Sequence, residues 1–130
     1  WGIEPVEPGP SFKRMFKRLI EIKKTYNPLS KSGSTFEWLQ YPANGWFAFK
    51  RKCGADVLIV AGNYSAADMY NYWVNTHGET GNWEQIFNSD GQEFGGDGVG
   101  NYQSRPNSNG GTIIMNIPRN GIVVMSRTSL

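Results

Sequence analysis

Between residues 11 and 26 the apolar side chains Phe12, Met15, Phe16, Leu19 and Ile20 recur at spacings of three and four, with Lys13, Arg14, Lys17, Arg18, Lys23 and Lys24 between them. This spacing predicts one amphipathic α-helix with an apolar stripe and a basic outer surface. Gly9-Pro10-Ser11 supplies its start, with Ser11 as the expected N-cap. Asn27-Pro28 supplies its stop, because proline disfavours helical geometry in the residue before it. Ahead of the helix, Glu4-Pro5-Val6-Glu7-Pro8-Gly9-Pro10 has no periodicity and reads as a connector.

After Pro28 the pattern changes to short apolar or alternating runs separated by Gly, Asn, Ser and Thr, the signature of antiparallel β structure. Strands are predicted over residues 35–41, 46–52, 57–63, 69–76, 83–88, 112–117 and 122–127. Val57-Leu58-Ile59-Val60-Ala61 is continuously apolar and belongs in mid-sheet with both faces covered. Phe47-Ala48-Phe49-Lys50-Arg51 and Tyr70-Asn71-Tyr72-Trp73-Val74 alternate better, as strands with one wetter face do. Asn44-Gly45, Cys53-Gly54 and Arg119-Asn120-Gly121 mark turns. The expected fold class is all-β: an antiparallel two-sheet β-sandwich of Greek-key type, preceded by the helix. Residues 1–29 form a connector and terminal helix in this reading, and residues 30–130 the sandwich.

Composition narrows the functional classes. With 130 residues and 38% hydrophobic content, the chain fits one domain with one core. A net charge of +2 from thirteen basic and eleven acidic residues is too even for a nucleic-acid or membrane surface. The longest apolar run, at Val57, falls far short of the roughly 20 residues that cross a bilayer. One cysteine, Cys53, gives no internal disulfide, and with His77 the sole histidine no Cys/His zinc cage can form, so any metal would have to be held by oxygen ligands; no metal site and no cofactor are assigned. Trp1 in place of Met is expected of a processed chain or of a piece of a longer one.

The most distinctive stretch runs from Phe87 to Asn101, dense in glycine and carrying Asp90, Glu93 and Asp97. It matches neither phosphate-binding glycine pattern, and Asp90 and Asp97 stand too far apart for a calcium loop. It reads as a structural Ω-type loop built on Asn88, Ser89, Asp90, Gly95, Gly96 and Gly98.

This run, preceded by Gly81-Asn82-Trp83-Glu84-Gln85-Ile86, resembles the G-x-W-x-x-x-x-N-S-D-x-x-x-F/Y-G-G-x-G segment of the C-terminal all-β domain of the alpha-amylase superfamily, 1,4-alpha-glucan branching enzymes especially. Gly45-Trp46-Phe47-Ala48-Phe49-Lys50-Arg51 resembles that domain's G-x-x-A-F-x-R strand. Val57-Leu58-Ile59-Val60-Ala61-Gly62-Asn63-Tyr64-Ser65 is similar to its next apolar strand. The run from Leu19 to Leu29 resembles the last helix of the (β/α)8 barrel that precedes the domain.

The resemblance implies the tail of a glycoside hydrolase or transglycosylase acting on α-1,4-glucans. It also implies a retaining mechanism whose aspartate nucleophile, glutamate acid/base and second aspartate lie on barrel strands. No position here matches those motifs, so no catalytic residue is assigned and the chain alone is expected to be inactive. The resemblance covers both hydrolysing and branching enzymes, and it fits a cytoplasmic or a secreted parent. The expected partner is the catalytic barrel of the same polypeptide, met through Phe12, Met15, Phe16, Leu19 and Ile20, an exposed face that would also favour dimers. The alternative is a carbohydrate-binding module holding α-glucan on exposed aromatics, with Trp38, Tyr41 and Trp46 as the first platform and Tyr70, Tyr72 and Trp73 as a second cluster. His77 reads as an exposed loop histidine, Cys53 as a structural thiol, and Asn63-Tyr64-Ser65 as a strand end that happens to fit the glycosylation pattern.

Overall fold

Residues that tolerate positive φ set where the chain reverses. Asn44 and Gly45 take φ of 56° and 88°, the left-handed pair that a two-residue hairpin turn demands, and join β1 (Thr35–Ala43) to β2 (Trp46–Cys53). Gly54, at φ 61°, opens the turn into β3 (Asp56–Asn63). Four strands follow: β4 (Met69–Asn75), β5 (Asn82–Asn88), β6 (Thr112–Ile117) and β7 (Gly121–Ser129), with a 3-10 turn at Gln92–Phe94. Helices α1 (Pro10–Thr25) and α2 (Asn27–Ser30) precede them. This computed structural model describes residues 10–30, 32–101, 108 and 111–129, with backbone alone at 11, 12, 30 and 129. The expected connector before Pro10 lies outside the described residues.

Ser11 sits inside the first turn of α1 and does not cap it. Pro10 opens the helix, since its fixed φ suits the first helical position and its missing N–H is not needed there. The chain then breaks at Tyr26, and Pro28 lies in the first turn of α2 for the same reason.

The strands form an antiparallel sandwich of unequal layers, with sheet order β1-β2-β3-β7-β5 on one side and β4-β6 on the other. From β3 onward every connection crosses between layers, which inserts β7 between β3 and β5. The main core lies between the sheets, where Ala48, Val57, Ile59, Ala61 and Val123 meet Met69, Val74, Ile113, Met115 and Ile117 around Trp83. Trp83 is fully buried, and its Nε1–H donates to Ser108 Oγ at 2.8 Å, so the indole's polar edge is satisfied. A second core covers part of the outer face of the larger sheet. There Ile22 of α1, 2% exposed, packs with Leu58, Phe87 and Val124, flanked by Met15, Tyr26, Leu29, Val60, Ile86 and Phe94. Burying a side chain the size of Ile22 contributes about 2 kcal/mol and holds the helix against the sheet.

Candidate functional site

Alternation along β2 sends Ala48 into the inter-sheet core and Phe47, Phe49 and Arg51 to the outer face. Trp38 stands opposite Phe49 in the ladder and Phe36 opposite Arg51. Five rings gather there: Phe36 lies 4.9 Å from Phe49 and 5.1 Å from Trp38, while Trp38 lies 5.4 Å from Tyr41 and 6.3 Å from Phe47. Phe36 is 48% and Tyr41 70% exposed, so the cluster is a surface and not a core. Gly62 has a structural reason on this face, because a Cβ there would stand 2.3 Å from the Phe47 ring. Arg51, next along the strand, has its Nε buried without a hydrogen-bond partner among the described residues.

Of the three residues expected as one sugar platform, the fold brings two together. Trp38 and Tyr41 share the outer face, whereas Trp46 turns inward, packs against the main core and meets Tyr72 edge-on at 5.5 Å. The register shift between Trp38 and Gln40 explains the pairing of residues three apart, since one bulge moves the side-chain alternation by one residue.

The helix stripe is likewise divided. Met15 is half-buried against the second core, while Phe16, Leu19 and Ile20 are exposed at 58, 41 and 40%. The side chain of Phe12 lies outside the described residues. Ile22, absent from the expected stripe, is the helix's deepest anchor. It is about one turn beyond Leu19, next to lysines that drew the pattern toward a solvated end. Arg14 Nε donates to the Glu93 carbonyl at 2.9 Å and Arg18 Nη2 to the Ile86 carbonyl at 3.2 Å, tying α1 to β5 and to the loop after it.

That loop is organised by one carboxylate. Asp90 Oδ1 accepts the N–H of Asp97 and Oδ2 that of Val99, at 3.1 and 2.9 Å, while the Asp90 carbonyl accepts the N–H of Gly98 at 2.7 Å. Asn88 accepts the Asp90 N–H and donates to the Val99 carbonyl. Ser89 Oγ accepts the N–H of Ile122 at 2.8 Å and fastens the loop to β7. Gly96 is required by space, because a Cβ would lie 2.2 Å from the Asp90 carbonyl oxygen. Gly95 and Gly98 both take φ of 85°. With its carboxylate committed to backbone amides, Asp90 acts as a scaffold, and among the described residues no group of three or more His, Cys, Asp or Glu is placed to hold a metal ion.

The remaining candidates resolve by their partners. Asn63 is 2% exposed and its Nδ2 donates to the carbonyls of Ala67 and Ile117, so this amide is spent inside the fold and unavailable for a glycan. His77 is exposed in a turn at φ 52°, with Nδ1 3.0 Å from Glu37 Oε1. This hydrogen bond holds the Glu37 carboxyl below its ordinary value; slight desolvation opposes it, and the Lys50 ammonium 3.5 Å away adds to it. Cys53 is partly buried with a free thiol. Among the described residues no helix is long and apolar enough to cross a membrane.

The geometry therefore defines a β-sandwich module: two layers, a helix laid on the outer face of the larger sheet, and a glycine-rich loop organised by Asp90. More narrowly, the chain belongs to the family described as the alpha amylase, C-terminal all-beta domain, whose profile matches residues 38–128. Among its relatives are proteins named 1,4-alpha-glucan branching enzyme GlgB. That of Aquifex aeolicus is 30% identical over 110 residues, covering 78% of this chain and 17% of the relative. That of Leifsonia xyli is 40% identical over 102 residues, covering 72% of this chain and 14% of the relative. A solved alpha-amylase from H. orenii shares the fold with a TM-score of 0.58 at 21% identity, over 88% of this chain and 20% of that one. The chain thus spans about a fifth or less of the proteins it matches.

Proposed function

We propose that the chain is the non-catalytic C-terminal domain of a longer enzyme acting on α-1,4-glucans, and that its main task is to cover and stabilise that enzyme's catalytic barrel. The observation that carries this reading is the outer face of the larger sheet, where Phe36, Trp38 and Tyr41 lie exposed on the same side as Phe16, Leu19 and Ile20 of α1. An exposed apolar surface of this extent marks a packing site. The names of the relatives support α-1,4-glucan as substrate, with hydrolysis or branching as the chemistry.

The test uses the longer enzyme. Phe36→Ser combined with Trp38→Ser lowers its thermal midpoint by several degrees more than it lowers that of the 130-residue chain, where the rings lose only their contacts with one another and with Phe47, Phe49 and Tyr41. Equal losses in both would sink the docking role. The chain alone leaves the iodine colour and reducing ends of amylose unchanged. A second reading, sugar binding, is favoured by a different surface.

A further inference from the structure

The smaller sheet carries its own aromatic face. Val74 and Ile113, opposite each other in the β4–β6 ladder, point into the core. The neighbouring pair, Trp73 and Ile114, points away from it, and Trp73 is 72% exposed. Tyr70 on the same strand is 58% exposed. The strand is held rigidly: Asn71, in a bulge at φ 57°, donates its N–H to Asn116 Oδ1 at 2.9 Å, and Tyr72 is braced by Trp46.

Neither strand contains a charged residue; their sequences are MYNYWVN and TIIMNI. An acidic or basic macromolecule finds no counter-charge there. A neutral polyhydroxylated chain finds rings for the C–H faces of its sugars, and the Asn71 amide and the Asn75 Nδ2 for its hydroxyls, Asn75 Oδ1 being taken by the His77 N–H. This sheet is the layer opposite α1, so docking through the helix-bearing face leaves it open to solvent.

We propose that the outer face of β4–β6 binds a linear α-linked glucan, stacking one sugar on Trp73 and a second on Tyr70. The choice of an α-linked chain rests on the function proposed above; the choice of surface rests on this face alone. The test is affinity electrophoresis of the folded 130-residue chain in native gels containing amylopectin, with hydroxyethylcellulose as the β-linked control. Amylopectin retards the chain, Trp73→Ala weakens retention by about tenfold or more, Trp73→Phe retains part of it, and Trp38→Ala changes it less than about twofold. Circular dichroism confirms that the variants are folded. No retardation, equal retardation by both polymers, an unaffected Trp73→Ala, or a Trp38→Ala as weak as Trp73→Ala each overturns the proposal. Such failure is separable from failure of the docking role, which is read from the stability of the longer enzyme.

Discussion

The Asn101 side chain pairs with the backbone of Asn116 as a neighbouring strand residue would, accepting its N–H through Oδ1 at 2.8 Å and donating Nδ2–H to its carbonyl at 3.0 Å. The backbone N–H of Asn101 meanwhile donates to Gln85 Oε1 at 2.8 Å, and Asn116 Oδ1 accepts from Asn71. A relay of amides therefore connects β5 of the larger sheet to β6 and β4 of the smaller one across the edge of the core.

Asn101→Ala removes two of these bonds and leaves a donor and an acceptor of β6 without partners in a nearly closed site. It lowers stability by about 2–3 kcal/mol in urea unfolding. Asn101→Asp does no better, because a carboxylate cannot donate to the Asn116 carbonyl.

Glu79 is 5% exposed and holds two cations, with Lys52 Nζ at 2.5 Å and Arg127 Nη1 at 3.8 Å. The Arg127 side chain is itself only 7% exposed, so removing Glu79 leaves a buried guanidinium with the Thr80 and Ala55 carbonyls as acceptors but without its counter-charge. Glu79→Ala costs about 3 kcal/mol or more, and a Glu79→Leu, Arg127→Met pair costs less than the single change. Chemical denaturation of the single and paired variants decides it.

The lowered Glu37 carboxyl gives acid sensitivity a definite sign. Because its folded pKa lies below the unfolded one, its contribution is complete above the unfolded value and fades as pH falls through the folded value. Glu37 is largely exposed, which keeps the effect small. The stability gap between the native chain and Glu37→Gln is therefore present at pH 7 and closes below the ordinary carboxylate range. Urea titrations at a series of pH values check this; a gap that widens in acid would contradict it.

Gly96→Ala forces a methyl group into the Asp90 carbonyl, a backbone atom that cannot swing aside. The loop must open, with loss of the Asp97 and Val99 amide bonds. Hydrogen exchange at Val99 rises by about two orders of magnitude or more in this variant. Gly33→Ala makes a contrasting control: no atom within 4 Å obstructs its Cβ, so only its φ of 87° is strained.

Strand positions were legible because punctuation and pattern agreed. Asn44-Gly45, Gly54 and Asn120 each take positive φ where the sequence places a turn, and the continuous run at Val57 does lie between β2 and β7. What alternation could not reveal was the bulge in β1 after Trp38, which puts Trp38 and Tyr41 on one face, while Trp46 follows Ala48 of β2 to the other. Unequal layers were hidden for a related reason: β4 and β6 look like any half-exposed strands until their partners are known. The loop at Asp90 announced itself by its glycines, yet nothing in its composition shows that the carboxylate is consumed by backbone amides. Ile22 was obscured by the lysines around it.

The place of β7 between β3 and β5 sets the order in which the domain can be built during translation. The β1–β2–β3 meander can pair as it leaves the ribosome, but until Gly121–Ser129 follows, β3 keeps one open edge and β5 has no neighbour in its sheet. The larger layer therefore closes by insertion of its last strand, late and through contacts distant in sequence, which is slow. Until that moment the nascent chain presents strand edges and apolar side chains that a chaperone can hold, and the step that seals the sandwich also completes the surface beneath α1 through Val124.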